Sequence, residues 1–299
     1  MKRKLSLVLG LLIIFTVFSN CKKSEPASTA TPLRLKTMTT VTTVGSNSPS
    51  TTTTNYTYAT DGKLNSATAV SNGTSTTTNY TYTTDGKISI VEGSPKFEYQ
   101  YNASSKITQY SYYLNPSTLF VTYDFTYGTD GKMTGFSATA SNTIVNYNAN
   151  YDSSGKLINI QYSSTNTYEF NYDSSGRIIY YKFSSNSPIN YEYNTSGKLT
   201  KKTVQLTSST ETTDYTYDSS GKISSVSETK KYTVDVDPYY TSISTYSYGS
   251  NGKMSRKSVT ITDDPSSTTT SSTVDYEFES GTGIYPKTSV WYLSGCPEV

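Results

Sequence analysis

The chain has 299 residues and a formal net charge of +2, too small a field to argue for nucleic acid or an acidic substrate. Only 33% of its residues are hydrophobic, yet 30 are tyrosine and none is histidine. Low apolar content with abundant Tyr and Thr excludes a typical disordered chain and points to a polar all-β protein; the missing histidine removes the usual general base and metal ligand.

Lys2, Arg3 and Lys4 precede an apolar run from Leu5 to Phe18, which is short for a membrane-crossing helix. The run stops at Phe18-Ser19-Asn20-Cys21. This resembles a bacterial lipoprotein signal, with departures at Phe18 and Asn20; a plain secretory signal is the alternative. The resemblance implies a signal peptide over 1–20 and acylation of Cys21, so that acyl chains hold the protein to a membrane. Lys22-Lys23-Ser24-Glu25 is similar to the start of Bacteroidetes lipoproteins, which implies outer-membrane anchoring and leaves the periplasmic and cell-surface faces both open. Residues 21–34 then form the lipidated cysteine and a flexible tether, rich in Ser, Thr, Ala and Pro. Residues 35–299 form a single repeat domain. The other cysteine, Cys296, has no partner for an intrachain disulfide if Cys21 is acylated, and no histidine to activate it.

The repeat is typified by Tyr215-Thr216-Tyr217-Asp218-Ser219-Ser220-Gly221-Lys222-Ile223. Its turn glycine recurs at Gly62, Gly86, Gly131, Gly155, Gly176, Gly197, Gly221 and Gly252, with Ser105 as the one substitution. Four residues earlier stand Tyr58, Tyr82, Tyr101, Tyr127, Tyr151, Tyr172, Tyr193, Tyr217 and Tyr248, without exception. A basic residue always follows the glycine position, and an apolar one follows that, from Lys63-Leu64 to Lys253-Met254. Nine matches at four positions define an array. Asp at the first turn position and Gly at the fourth predict a type I turn closed by a bulge, which sets Tyr58 opposite Leu64 and Tyr217 opposite Ile223. A two-residue type I′ turn competes for the Asp-Gly versions. The residue two before each tyrosine, usually aromatic, shares its face.

The interval from turn glycine to next tyrosine varies, from 15 residues (Gly86 to Tyr101) to 27 (Gly221 to Tyr248). One end of each strand pair is therefore constant and the other variable. Consecutive hairpins pair most simply as one antiparallel meander, with constant turns on one rim and variable loops on the other. The expectation is about nine hairpins, roughly 18–20 strands, curled into a barrel-like or spiral sheet.

Tyr172-Asp173-Ser174-Ser175-Gly176-Arg177-Ile178 resembles the YD repeat of RHS proteins, and Tyr151-Asp152 and Tyr217-Asp218 match it with Lys for Arg. The other six versions depart at the Asp. The chain also resembles uncharacterised Bacteroidetes lipoproteins built from such repeats. In RHS proteins these hairpins spiral into a hollow shell, so the resemblance implies a curled sheet. The RHS core motif, autocleavage domain and C-terminal toxin have no counterpart here.

Three features are candidates for function. The nine basic residues line the constant rim, where they can meet anionic lipid or polysaccharide or simply keep the rim soluble. The tyrosines can stack on sugars or form the core, and core is the favoured reading for the second tyrosine of each repeat. The longest interval holds Asp235, Asp237, Tyr239 and Tyr240, a possible ligand loop or an ordinary insertion. No metal site, cofactor or nucleic-acid partner is expected. Glu98, Glu169, Glu192 and Glu277 lie in predicted strands, but no pair of them can be placed at a glycosidase spacing, so an enzyme is the weakest reading. An integral outer-membrane barrel is the structural rival; Thr51–Asn55 and Thr76–Asn79 lack the apolar row that lipid requires. The reading that remains is a non-catalytic, lipid-anchored envelope module that contacts glycan or another envelope protein.

Overall fold

The computed structural model describes residues 33–280, apart from 164–165, 185, 234–237 and 264–267. Cys21, Asp235, Asp237 and Cys296 lie outside the described residues. Every regular element described is a strand. These are β1 (Leu33–Val44), β2 (Ser50–Tyr58), β3 (Leu64–Ser71), β4 (Thr74–Tyr82), β5 (Ile88–Glu92), β6 (Lys96–Tyr101) and β7 (Ile107–Asn115). They continue as β8 (Thr118–Tyr127), β9 (Met133–Ala140), β10 (Thr143–Tyr151), β11 (Leu157–Ser163), β12 (Asn166–Tyr172), β13 (Ile178–Phe183) and β14 (Ile189–Tyr193). The last six are β15 (Leu199–Gln205), β16 (Ser209–Tyr217), β17 (Ile223–Tyr232), β18 (Tyr240–Tyr248), β19 (Met254–Asp263) and β20 (Thr268–Ser280).

Each strand pairs antiparallel with its neighbours in sequence, and β20 pairs with β1. The sheet is therefore a closed 20-stranded meander barrel, which leaves no sheet edge unpaired. All nine repeat hairpins keep one register: Tyr58 opposes Leu64, Tyr172 opposes Ile178 and Tyr248 opposes Met254, each beside a one-residue bulge. The constant turns occupy one rim and the variable connections the other.

Alternation sets the two faces. Along β12, Tyr168 and Phe170 are buried while Glu169 and Asn171 are exposed. Tyr123, Val121, Ile160 and Tyr168 are 0% exposed, so the tyrosine face is the enclosed one. Its densest packing runs over β6–β14, where Phe136 stacks on Tyr147 at 4.4 Å and Tyr168 on Phe183 at 4.2 Å. The outward face is joined by polar cross-strand pairs, such as Thr57 with Ser66, Gln100 with Gln109 and Asn150 with Asn159. Among the described residues its exposed large apolar side chains, such as Val70, Ile144 and Ile243, are scattered rather than joined in a band.

The β20–β1 seam repeats the hairpin pattern without a connecting turn. Phe278 opposes Leu35, Tyr276 opposes Met38, and the register slips by one residue at Lys36. In the first hairpin Tyr58 opposes Leu64, Tyr56 opposes Ala67, and the slip falls at Asn65. Arg34-Leu35 thus takes the basic-apolar place and Phe278 the tyrosine place of a tenth repeat divided between the two ends of the domain. Arg34 pairs with Glu279 at 2.6 Å and Lys36 with Glu277 at 2.9 Å across this seam. Removing residues 268–299 opens the edges of β1 and β19 to other chains. The expected outcome is multimers in light scattering behind size exclusion; a stable monomer would show that the seam is dispensable.

Candidate functional site

The sequence places its chemistry in the repeat motif, and the turn explains why. In the first copy the Gly62 amide donates to the Ala59 carbonyl at 2.9 Å, and the Ala59 amide to the Lys63 carbonyl at 2.8 Å. The same two bonds close the Asp-Ser-Ser-Gly turn of Asp152–Gly155. Both versions are therefore type I turns with a bulge, and the two-residue turn is excluded. Gly176 sits at φ +81°, and Ser105 adopts φ +66° in the equivalent place, a left-handed conformation that costs an L-residue about 1–2 kcal/mol. Where Asp opens the turn, its carboxylate accepts two backbone amides: Asp152 Oδ1 takes those of Ser154 and Lys156, each at 2.9 Å.

Each constant tyrosine reaches out of its own repeat. The Tyr82 hydroxyl donates to the Leu64 carbonyl of the preceding hairpin at 2.8 Å, Tyr172 to Leu157 at 2.8 Å and Tyr217 to Leu199 at 2.7 Å. All nine tyrosines do this, beginning with Tyr58 to Leu35 at 2.6 Å and ending with Tyr248 to Ile223 at 2.9 Å. The reason is geometric. Between β3 and β4 the backbone pairing begins only at Ser66 opposite Asn79, so the Leu64 carbonyl lies beyond the ladder. The phenol takes the place of the missing strand amide. These rings are half-buried near the rim; the deepest aromatics, Tyr123 and Tyr168, lie four residues before the constant tyrosine.

The basic residues follow the same direction. Lys63 lies over the ring of Tyr82 at 5.7 Å, Arg177 over Tyr193 at 4.6 Å and Lys222 over Tyr248 at 4.8 Å. Their second partners are of two kinds. Lys63 holds Asp61 of its own turn at 2.5 Å and Arg177 holds Asp173 at 2.6 Å. Lys198 and Lys222 instead donate to the carbonyls of Gly221 and Gly252 in the next turn, at 2.6 and 2.9 Å. Eight of the nine basic residues thus lie over the next repeat's ring, and the row is folded onto the sheet rather than held out as a free cationic rim.

At the variable rim, Tyr239 stacks on Tyr232 at 4.2 Å, and Lys230 lies 5.0 Å from the ring of Tyr240. Tyr232 is 45% exposed, so this pair presents an aromatic surface at the mouth of β17 and β18. The four strand glutamates are not brought together. Glu98 holds Lys96 at 2.7 Å and accepts from Tyr113, Glu277 holds Lys36, and Glu169 and Glu192 stand on the outward face. An open depression of about 280 Å³ on the outward face is lined by Ser247, Ser255, Arg256 and Asp275, the last two paired with each other.

Residues 117–249 match the Teneurin YD-shell family, so the repeats are of the YD type. No curated protein matches the chain. Among solved structures, a porin-like protein from Bacteroides uniformis is similar at 14% identity and a TM-score of 0.40, over 82% of this chain and 98% of that one. A porin-like protein from Bacteroides vulgatus is similar at 13% identity and a TM-score of 0.36, over 73% and 99%. TcdB2-TccC3-TEV is similar at 12% identity and a TM-score of 0.36; the match covers 77% of this chain and only 15% of that one. These likenesses are too distant to transfer function.

Three outcomes follow from the turn and the phenol bond. Ser105→Gly should raise the unfolding free energy by about 1 kcal/mol, and Tyr172→Phe should lower it by about 1 kcal/mol, both read from urea melts. Phe278→Tyr should gain a comparable amount by supplying the hydroxyl that the divided repeat lacks.

Alkali tests the tyrosines together. Burial pushes the Tyr82, Tyr101 and Tyr172 phenols up to about 12, with smaller contributions from nearby carboxylates. A pKa raised on folding favours the neutral form, so its stabilisation is complete below the unfolded value near 10 and is lost as pH rises through the folded value. Phenolate absorbance and loss of sheet circular dichroism should therefore rise together between about pH 10 and 12. Full ionisation with the sheet intact would contradict the buried phenol bonds.

Proposed function

We propose that the protein is a lipid-anchored cell-envelope module without catalytic activity, which contacts glycan or another envelope protein through its variable rim. The observation that carries this reading is where the chain enters the barrel. Leu33 pairs with Ser280 beside Arg34-Leu35, at the rim of the constant turns. An acyl chain on Cys21, joined by residues 22–32, would then hold that rim toward the membrane. The tether spans at most about 35–40 Å at full extension. The variable loops face away, free to meet a partner.

Other features support the same arrangement. The polar outward face suits a barrel held beside a bilayer rather than through it. The basic residues of the constant rim are engaged with tyrosine rings and turn groups, so the tether rather than a cationic surface would make the membrane contact. The Tyr232–Tyr239 stack at the opposite rim suits a sugar ring, since aromatic faces bind flat apolar surfaces and their hydroxyls tolerate water.

Cys21→Ser should move the protein from the membrane fraction to the soluble one; continued retention would remove the anchor from this account. On a glycan array, the protein lacking residues 1–21 should bind, and Tyr232→Ala with Tyr239→Ala should abolish the signal. Silence of the unsubstituted protein across the array would favour a purely structural role.

A further inference from the structure

One inward position distinguishes the second half of the barrel. Three residues beyond the apolar residue that follows each turn, the tyrosine face is apolar in most repeats, as at Ala67, Phe136, Ile160 and Val226. Leu35 is followed in the same way by Met38 in the divided repeat. The two exceptions are Lys202 on β15 and Lys257 on β19. Register places both on the enclosed face. Lys202 opposes Tyr191 and Thr213, and Lys257 opposes Tyr246 and Val274. Their chain neighbours Lys201 and Arg256 point outward and pair there with Asp214 and Asp275.

The inward lysines have no such compensation. Among the described residues neither has a carboxylate within ion-pair distance; the Lys257 ammonium lies 5.7 Å from the Tyr246 ring. Burial draws the Lys257 ammonium below the usual lysine range. An unpaired ammonium on an enclosed face costs stability, and the other repeats show that this position accepts an apolar side chain. Between the two lysines the same face carries hydroxyls: Thr213 opposes Glu228, which opposes Ser242, and Ser244 opposes Val226. Nearer the variable rim Lys230 sits between Glu211 at 3.4 Å and Glu228 at 3.6 Å. Glu211 and Glu228 are thus committed to Lys230, away from Lys202 and Lys257.

We propose that the inner wall formed by β15–β19 is a binding site for a carboxylate-bearing oligosaccharide, with Lys202 and Lys257 as its anion contacts. Four inter-strand steps of about 4.8 Å separate the two backbones by roughly 19 Å, so two long side chains can reach separate acidic groups of one short chain. The half-buried Tyr191 and Tyr246 offer ring faces to the sugars, and Thr213, Ser242 and Ser244 offer hydroxyls. A free anion without sugar rings would leave those groups unused. The site requires neither the lipid anchor nor the rim loops.

The test is calorimetric titration of the purified protein with trigalacturonate and with the neutral trigalactose, repeated on the Lys202→Met, Lys257→Met double variant. The acidic trimer should bind at least tenfold more tightly than the neutral one. The double variant should lose at least tenfold in affinity for it while its melting temperature stays level or rises, because methionine restores the apolar residue that this position carries elsewhere. Lys202→Arg with Lys257→Arg should retain binding. Equal affinity for both trimers, no binding of either, or undiminished binding by the methionine variant would overturn the assignment. So would a fall in melting temperature of that variant, which would make the two lysines structural.

Discussion

The phenol of each constant tyrosine ends on a backbone carbonyl that the neighbouring strand cannot reach. That single bond explains why the position is tyrosine nine times and never phenylalanine within a continuous hairpin. A ring would fill the space equally well, but a half-buried carbonyl without a donor is costly. The cation over the ring completes the join, since the basic residue of one repeat covers the ring that caps its own strand. Both contacts run from one hairpin to the next, so no repeat is complete alone. The barrel's closure follows from the same rule: the first repeat also needs a predecessor, and Arg34 and Leu35 provide it.

Much of this was legible in the residues. The constant gap of four between tyrosine and glycine predicts a bulged turn, with a two-residue turn competing only in the Asp-Gly versions, and the bulged turn fixes which residues face each other. The outcome, Tyr58 opposite Leu64 and its eight counterparts, follows from local chain geometry alone. The destination of the hydroxyl was not legible, because it depends on where the next hairpin lies, across an interval of variable length. The basic row misled for the same reason. In sequence it reads as a rim of charge; in space eight of the nine cations lean along the sheet onto the ring of the next repeat. The divided repeat was hidden because Phe278 lacks the tyrosine signature and no turn joins it to Arg34.

The interior shows a further limit of pattern reading. Lys202 and Lys257 follow the apolar position by three residues, an unremarkable spacing for a polar strand residue. Only the register shows that they share a face with Tyr191 and Tyr246 while Lys201 and Arg256 do not. The two walls of the barrel consequently differ: β6–β14 are joined by stacked rings, whereas β15–β19 mix rings with hydroxyls and opposed charges. Two faces of one repeated motif have thus diverged without altering the turn or the phenol bond.

The divided repeat makes the order of the strands a circle rather than a line. Leu33 and Ser280 sit side by side, so the polypeptide could be joined there and cut at any variable connection without altering a single strand neighbour. Each of the ten units would keep the same two companions, and the gene's starting point within the cycle would become a matter of convenience. What the present starting point does determine is which rim carries residue 33, and that is the rim of the constant turns.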